Sequence, residues 1–254
     1  MRVRAIFYDF DGTLRMDVPQ SIDAFMGVAR ALGVETGPAD FARLARWEHA
    51  YLAQSAELRA DEMAFPTKRD YRTNFCRRRL LALGAAADRA ATLAPGAYER
   101  MADNYRPEDT IPEDLLETLR TLKETGYFLG VLSNRKKPIT DYLSELGLGK
   151  FFDLAICAGE AGIYKPDPGA FHYLLDKARI SARESVYVGD NYYADVVGAR
   201  LAGMTPVLFD LRNIFCEADC AVIQAHNQIL SWIARRMAYK SDREIYGLPY
   251  DNSL

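Results

Sequence analysis

The sequence predicts an α/β protein with a parallel sheet core, helices on both faces of the sheet, and an inserted all-helical domain. Three observations lead to this prediction. Strand-like and helical patterns alternate from residue 107 onward, which is typical of a parallel sheet covered by helices. A separate apolar run at 3–10 provides a further strand. Between the two regions, residues 17–105 show helical patterns and no strand pattern.

The N-terminal run and the insertion follow from local signals. Residues 3–10 are β-branched and aromatic and end in acid and glycine, which predicts a buried strand. Ser21 can cap a first helix that stops at Gly33, and Pro38 suits the start of a second helix that runs to residue 58. Further helices are expected at 66–84 and from about 85 to 105, the last one broken near Pro95.

The second half supplies the remaining elements. Strands are predicted at 128–132, 154–157, 186–189, 205–209 and 220–223, and helices at 112–125, 138–146, 168–178, 193–202 and 227–237. We therefore predict a Rossmann-like core made of residues 1–16 and 106–239, a helical cap at 17–105 and a C-terminal tail at 240–254. The first strand belongs with the second half because a lone strand needs a sheet.

Composition narrows the classes of function. The 254 residues carry a net charge of −3, and 49% of them are hydrophobic. The totals give no sign of a nucleic-acid-binding face, and no apolar run approaches the roughly 20 residues of a membrane span. The chain shows no cleavable signal, and its four cysteines are scattered. We expect a cytoplasmic protein with reduced thiols that binds neither nucleic acid nor membrane.

Polar residues follow four of the predicted strands. Asp9 and Asp11 end the first strand, and Ser133 and Asn134 end the second; Lys165 follows the third, and Asp190 ends the fourth with Asp195 nearby. Ligands of open α/β sheets bind at the carboxyl ends of the strands, so these side chains should meet. Converging carboxylates repel one another unless a cation lies among them, and oxygen ligands suit Mg²⁺. The lysine and serine would hold phosphate oxygens.

The spacing within the first motif has its own rationale. Residues two apart on a strand project to the same face, so Asp9 and Asp11 can approach one substrate from the same side. Gly12 lets the backbone turn and approach a phosphate closely. Arg15, just after the motif, is a further candidate for substrate contact.

The motifs 9-DFDGTL-14, 133-SN-134, 165-KP-166 and 189-GDNYYAD-195 resemble, in order and spacing, those of the haloacid dehalogenase-like hydrolase superfamily. The helical block directly after the first motif is similar to the subfamily with a helical C1 cap. The resemblance implies a Mg²⁺-dependent phosphatase with Asp9 as nucleophile and Asp11 as acid and base. It implies metal ligation by the carboxylates of Asp9 and Asp190 and by the main-chain carbonyl of Asp11.

The resemblance also implies roles for the remaining motif residues. Ser133, the backbone at Asn134, Lys165 and Gly12 would surround the substrate phosphate. Asp195 would bind a metal-bound water or brace the lysine.

Other functions of the same fold stay open at this point. A phosphomutase would pass the phosphoryl group to a sugar, and a 2-haloacid dehalogenase would use the aspartate nucleophile on carbon. The presence of Asp11 and Asp190 speaks against the dehalogenase. A non-enzymatic binding protein is the fourth alternative. We expect a small phosphorylated metabolite as substrate and a monomer or homodimer.

Overall fold

The computed structural model describes residues 3–236 and contains two sheets. The strands are β1 (Ala5–Tyr8), β2 (Met16–Val18), β3 (Glu108–Thr110), β4 (Phe128–Ser133), β5 (Leu154–Cys157), β6 (Ser185–Gly189), β7 (Thr205–Phe209) and β8 (Ala221–Ile223). Six of them form a parallel sheet in the order β5-β4-β1-β6-β7-β8. The first strand therefore lies in the middle of a sheet built from the second half, as predicted.

Helices flank this sheet and fill the insertion. They are α1 (Ser21–Ala31), α2 (Pro38–Leu52), α3 (Ala56–Ala64), α4 (Lys68–Ala82), α5 (Ala87–Asn104), α6 (Leu115–Glu124), α7 (Thr140–Glu145), α8 (Ala158–Ala161), α9 (Pro168–Ala178) and α10 (Val197–Leu201). A π-helical turn, Tyr192–Val196, precedes α10, and residues 228–236 are helical. The predicted tail at 240–254 lies outside the described residues.

The central strand shows why both faces of the sheet are covered. Alternate side chains of β1 point to opposite faces, so Ile6 and Tyr8 join one apolar cluster and Ala5 and Phe7 join another. The first cluster includes residues of α6, α7 and the helix at 228–236. The second includes residues of α9 and α10. The predicted α/β class with helices on both faces is confirmed.

The helical insertion has its own core and a narrow connection to the sheet domain. Helices α1, α2, α4 and α5 share an apolar cluster that includes Phe25, Leu44, Leu80 and Ala94. The chain enters and leaves the insertion through β2 and β3, which pair antiparallel with Asp17 opposite Asp109. We call this pair the connecting ribbon, and we call the insertion the cap.

Three local predictions were wrong. The expected absence of strands at 17–105 misses β2, in which Asp17 pairs with Asp109 of β3, 92 residues further along the chain. The predicted helix at 38–58 is two helices, α2 and α3, separated by Gln54 in a left-handed conformation. The break expected at Pro95 does not occur, because the buried alanines of α5 pack in the cap core on both sides of the proline. Within residues 3–236, no helix is both long and apolar enough to cross a membrane.

Candidate active site

The loop after β1 carries the first motif into the carboxyl edge of the sheet. The amide of Asp9 donates a hydrogen bond of 2.8 Å to the carbonyl of Val188, which extends the pairing with β6 by one residue. Gly12 then adopts a φ of +87°, and a Cβ there would lie 2.4 Å from Asp190 Oδ2. Glycine is thus required twice at this position, by the backbone and by the neighbouring carboxylate. Asp9 is buried at this turn, with 6% of the residue exposed.

Three carboxylates meet at this edge, as their strand-end positions predicted. Oxygens of Asp9, Asp190 and Asp195 lie within 4.8 Å of one another. Gly189 allows the close approach, because a Cβ at that position would lie 2.4 Å from the Asp195 carboxyl group. Thr13, which is fully buried, donates from its hydroxyl to Asp190 Oδ1 at 3.3 Å. We call Asp9, Asp190 and Asp195 the carboxylate cluster.

Lys165 supplies the cation of this cluster. Its Nζ donates to Asp9 Oδ1 at 2.5 Å, to Asp195 Oδ1 at 2.6 Å and to the Tyr187 hydroxyl at 3.0 Å. The hydroxyl of Tyr187 in turn donates to the carbonyl of Leu132 at 2.8 Å. The lysine is 2% exposed, so all three of its protons stay inside the protein. Asp195 accordingly braces the lysine, which is one of the two roles expected for it.

Burial and mutual repulsion shift the proton affinities of the cluster. Desolvation raises the pKa of Asp9 to about 7, with Lys165 opposing the shift and Asp195 adding to it. Desolvation and the charge of Asp9 raise the pKa of Asp190 to about 8. Burial also raises the pKa of Asp195. Burial alone would lower the pKa of Lys165, but the pull of Asp195 and Asp9 raises it well above its usual value.

These shifts bear on whether the site suits a metal ion. One lysine cannot neutralise three carboxylates. Burial raises the pKa values of Asp9 and Asp190 because it strips water from their charged forms, and repulsion from neighbouring carboxylates adds to both shifts. A divalent cation among the same oxygens would remove that repulsion. The donor set is oxygen only, which is the chemistry that Mg²⁺ prefers. The residues present therefore fit a magnesium ion.

Ser133 and Asn134 lie where β4 ends. Ser133 is 1% exposed and its Oγ accepts the amide of Arg135 at 3.2 Å. The side chain of Asn134 exchanges two hydrogen bonds with the backbone of Lys165: Nδ2 donates to its carbonyl at 3.0 Å, and Oδ1 accepts from its amide at 2.8 Å. The Asn134 side chain thus holds the loop of Lys165 against β4. The backbone of Asn134 is left for the predicted phosphate contact.

Asp11 does not point its carboxyl group into the carboxylate cluster. Arg135 donates to both of its oxygens, from Nε to Oδ2 at 2.7 Å and from Nη2 to Oδ1 at 2.7 Å. Arg15 adds a bond from Nη1 to Oδ1 at 3.1 Å. The side chain of Asp11 is 38% exposed, at the border between sheet domain and connecting ribbon. Arg15 bonds Asp11 in this structure, and its contact with a substrate stays a prediction.

Three residues at this site were not singled out from the sequence. Arg135 follows Ser133 and Asn134 directly, and a basic residue at a strand end was a usable signal for it. Thr13 belongs to the first motif but carried no assigned role. Tyr187 occupies the middle of β6, where it reads as an ordinary core aromatic, so only the fold reveals its contact with Lys165.

The cap closes over this edge of the sheet. A cavity of about 230 Å³ lies between the two parts, with Gly12 and Asp190 on one side and Phe41 and His49 on the other. His49 Nε2 is 3.9 Å from Asp190 Oδ2, and the carbonyl of His49 accepts from Asn191 Nδ2 at 3.1 Å. Burial lowers the pKa of His49. The cavity offers a leaving group room next to the carboxylate cluster.

Comparison with known proteins gives a consistent family. The sequence profile described as haloacid dehalogenase-like hydrolase matches residues 3–203. Haloacid dehalogenase-like hydrolase domain-containing protein 3 from Bos taurus is 34% identical over 116 residues, which is 45% of this chain and about half, 46%, of that relative's length. The protein of the same name from Homo sapiens is 30% identical over 207 residues, 80% of each chain.

Two further proteins that are similar to this chain are named for different activities. A phosphoserine phosphatase from Thermus thermophilus is 30% identical over 230 residues, covering 82% of this chain and 89% of the relative. The crystal structure of a 2-haloacid dehalogenase from Pseudomonas syringae pv. Tomato DC3000 is 26% identical and covers 92% of this chain and 99% of its own, with a TM-score of 0.53. The family profile matches most of the chain, and the chain belongs to the haloacid dehalogenase-like hydrolase family.

Proposed function

We propose that this hydrolase is a Mg²⁺-dependent phosphomonoesterase that cleaves a small phosphorylated metabolite through an aspartyl-phosphate on Asp9. The single observation that carries the proposal is the buried carboxylate cluster with Lys165 inside it, at the carboxyl edge of the sheet. The carboxylates of such a group can hold one divalent cation, and the lysine can hold one phosphate, so each ion has a partner of opposite charge. The phosphatase names among the relatives support the same reaction.

The metal would be held by this chain's own oxygens. The carboxylates of Asp9 and Asp190 and the main-chain carbonyl of Asp11 are the proposed ligands. When bound, Mg²⁺ would neutralise charge on the phosphoryl oxygens and on the attacking carboxylate. Asp195 acts one step away, since its carboxylate holds Lys165, and Lys165 with Ser133 would bind the phosphoryl oxygens.

Phosphoryl transfer then occurs in two halves. In the first, a carboxylate oxygen of Asp9 attacks phosphorus, the bond from phosphorus to the leaving oxygen breaks, and Asp11 gives that oxygen a proton. In the second, water attacks the same phosphorus, Asp11 takes the proton of the water, and the bond to Asp9 breaks. Inorganic phosphate leaves and both aspartates return to their starting states. Before substrate binds, Lys165 fixes the Asp9 carboxylate by donating to Oδ1, and the proton of that bond is the one that it would give in a hydrogen bond to a phosphoryl oxygen.

The dehalogenase remains the second candidate, since the 2-haloacid dehalogenase named above has the same fold. Its reaction places the Asp9 carboxylate on carbon and expels a halide. A halide needs no proton from Asp11 and no cation at Asp190. The present site carries both residues, so the phosphomonoesterase is favoured. A phosphomutase would use the same first half and give the phosphoryl group to a second substrate hydroxyl in place of water.

The test is turnover of an aryl phosphate by the purified full chain. We expect release of inorganic phosphate with Mg²⁺ and none with EDTA. Asp9→Asn should lose at least about 10³-fold in kcat, because the amide cannot attack phosphorus. Asp176→Asn is the matched control, since Asp176 is an exposed aspartate on α9 that belongs to none of the four motifs, and it should retain full activity.

The same preparation separates the alternatives. Metal-independent release of halide from a 2-haloacid, with no hydrolysis of a panel of phosphate esters, would favour the dehalogenase. Transfer of phosphate to a sugar without its release to water would favour the mutase. Folded protein that catalyses none of these reactions would favour a binding protein.

A further inference from the structure

Two arginines, Arg15 and Arg135, hold the carboxyl group of Asp11. Arg135 grips both carboxylate oxygens, and Arg15 makes a third bond to Oδ1. Paired bonds from one guanidinium are among the strongest contacts a carboxylate makes. While both oxygens accept these bonds, the Asp11 carboxyl group is held at Arg135 and outside the carboxylate cluster. We call the two donor groups of Arg135, Nε and Nη2, the Arg135 fork. Asp11, the proposed acid, therefore has to leave this fork before it can give a proton to a leaving oxygen.

The two arginines differ in what they keep when Asp11 leaves. Arg15 also bonds Asp17 and Asp109 of the connecting ribbon and the hydroxyl of Tyr142. It therefore stays paired without Asp11. Arg135 has no such reserve: among residues 3–236, Asp11 is the only acceptor of a hydrogen bond from its side chain. Release of Asp11 would leave the Arg135 guanidinium without its ion-pair partner.

The Arg135 guanidinium would nevertheless stay in place. Its central carbon lies 5.1 Å from the Phe10 ring centroid and 4.8 Å from that of Tyr142, so two aromatic rings hold it. Its amide is tied to Ser133 Oγ, beside the proposed phosphate site. The side chain is 35% exposed, so a substrate can reach it. The fork is thus a preformed binding site for a planar or tetrahedral anion.

We propose that Arg135 is a specificity residue that binds a second anionic group, a carboxylate or a phosphate, on the leaving group of the substrate. That group takes the place of Asp11 in the fork and frees the Asp11 carboxyl for the leaving oxygen. A substrate without a second anionic group must break the ion pair between Asp11 and Arg135 and offers Arg135 no other anion in exchange. This inference rests on the proposed phosphomonoesterase activity and names the substrate class for it.

The experiment compares three esters that differ at one end only. They are propyl phosphate, its analogue with a terminal carboxylate and its analogue with a terminal second phosphate. Each is assayed for kcat/KM with the full chain and Mg²⁺. We expect at least one anionic ester to exceed propyl phosphate by roughly 10- to 100-fold, the range for hydrogen bonds to a charged group. The identity of that ester tells whether the fork takes a carboxylate or a phosphate.

Variants then assign the preference to Arg135. Arg135→Gln should reduce the ratio of anionic to neutral ester to near one, and Arg135→Lys should retain part of it because the charge remains. Arg200→Gln is the matched control, since Arg200 also pairs with an aspartate, Asp219, but on an exposed surface. It should leave the ratio unchanged. A merely structural role of Arg135 would lower turnover of all three esters alike and keep the ratio.

Different results would overturn the role of Arg135 and the proposed phosphomonoesterase activity. Turnover of an aryl phosphate together with equal kcat/KM for the three esters would overturn the role of Arg135 and leave the phosphomonoesterase standing. A ratio that survives in Arg135→Gln would overturn it as well. Failure to hydrolyse any ester, aryl phosphate included, would overturn the proposed function, and the substrate class would fall with it.

Discussion

Replacing Lys165 by methionine tests the carboxylate cluster most severely. The side chain keeps a similar length but loses three hydrogen bonds, to Asp9 at 2.5 Å, to Asp195 at 2.6 Å and to Tyr187 at 3.0 Å. Asp195 is 1% exposed and cannot recover its partner from water. Removing one member of a buried ion pair costs about 3–5 kcal/mol, because the other charge stays buried and unpaired.

The measurement is urea denaturation at neutral pH in EDTA. Lys123→Met is the matched control: its Nζ lies 2.7 Å from Asp153 Oδ1, but both side chains are about one-third exposed. An exposed pair of this kind contributes about 0–1 kcal/mol. We therefore expect Lys165→Met to lose several times more stability than Lys123→Met. The large difference should come from burial, since the two distances are nearly equal.

A double variant measures the coupling between Lys165 and Asp195. In Lys165→Met with Asp195→Asn, the buried charge and its partner are removed together, so part of the stability lost by Lys165→Met should return. The two substitutions should then be coupled by about 1 kcal/mol or more, as contacting residues usually are. Strict additivity of the two single losses, or equal losses for Lys165→Met and Lys123→Met, would contradict the account of the cluster.

Two further predictions use the same site. Because the pKa values of Asp9 and Asp190 are raised to about 7 and about 8 from 3.8, the metal-free folded protein holds protons that the unfolded chain has lost, so its stability falls as pH rises from about 4 to 8. Mg²⁺ needs both groups ionised, so its stabilising effect in thermal unfolding should grow as pH rises through that range; a pH-independent effect would contradict the ligand assignment. Gly126→Ala should cost about 1–2 kcal/mol because the residue has positive φ, and Gly12→Ala should cost more, because its Cβ would also lie 2.4 Å from Asp190 Oδ2. Only Gly12→Ala should also abolish Mg²⁺-dependent turnover, since nothing lies within 4 Å of a Cβ at Gly126, and equal activity of the two variants would count against the tight approach to Asp190.

The sequence was most informative where chemistry and strand position coincide. Asp9, Lys165, Asp190 and Asp195 were expected to meet because the carboxyl ends of parallel strands share one edge, and they do meet. The strands themselves are short apolar runs with clear ends, and the five predicted in the second half match β4 to β8 within about a residue or two, the usual uncertainty of boundaries.

The features that were missed depend on contacts between distant parts of the chain. The connecting ribbon has three residues in each strand and is formed by pairing across the whole cap, which no local pattern records. The continuity of α5 through Pro95 depends on packing in the cap core. The grip of Arg135 on Asp11 joins residues 124 positions apart, so the state of the proposed acid was not readable from its motif.

The most direct test of the central claim is to trap the phosphorylated enzyme. The full chain is mixed with an aryl phosphate and Mg²⁺, stopped in acid during turnover and digested, and the peptides are examined by mass spectrometry. We predict one phosphoryl group on the peptide that contains Asp9, absent from Asp9→Asn and retained in Asp176→Asn. Turnover without any phosphorylated peptide, or a phosphoryl group on another residue, would contradict the assignment of Asp9 as the nucleophile.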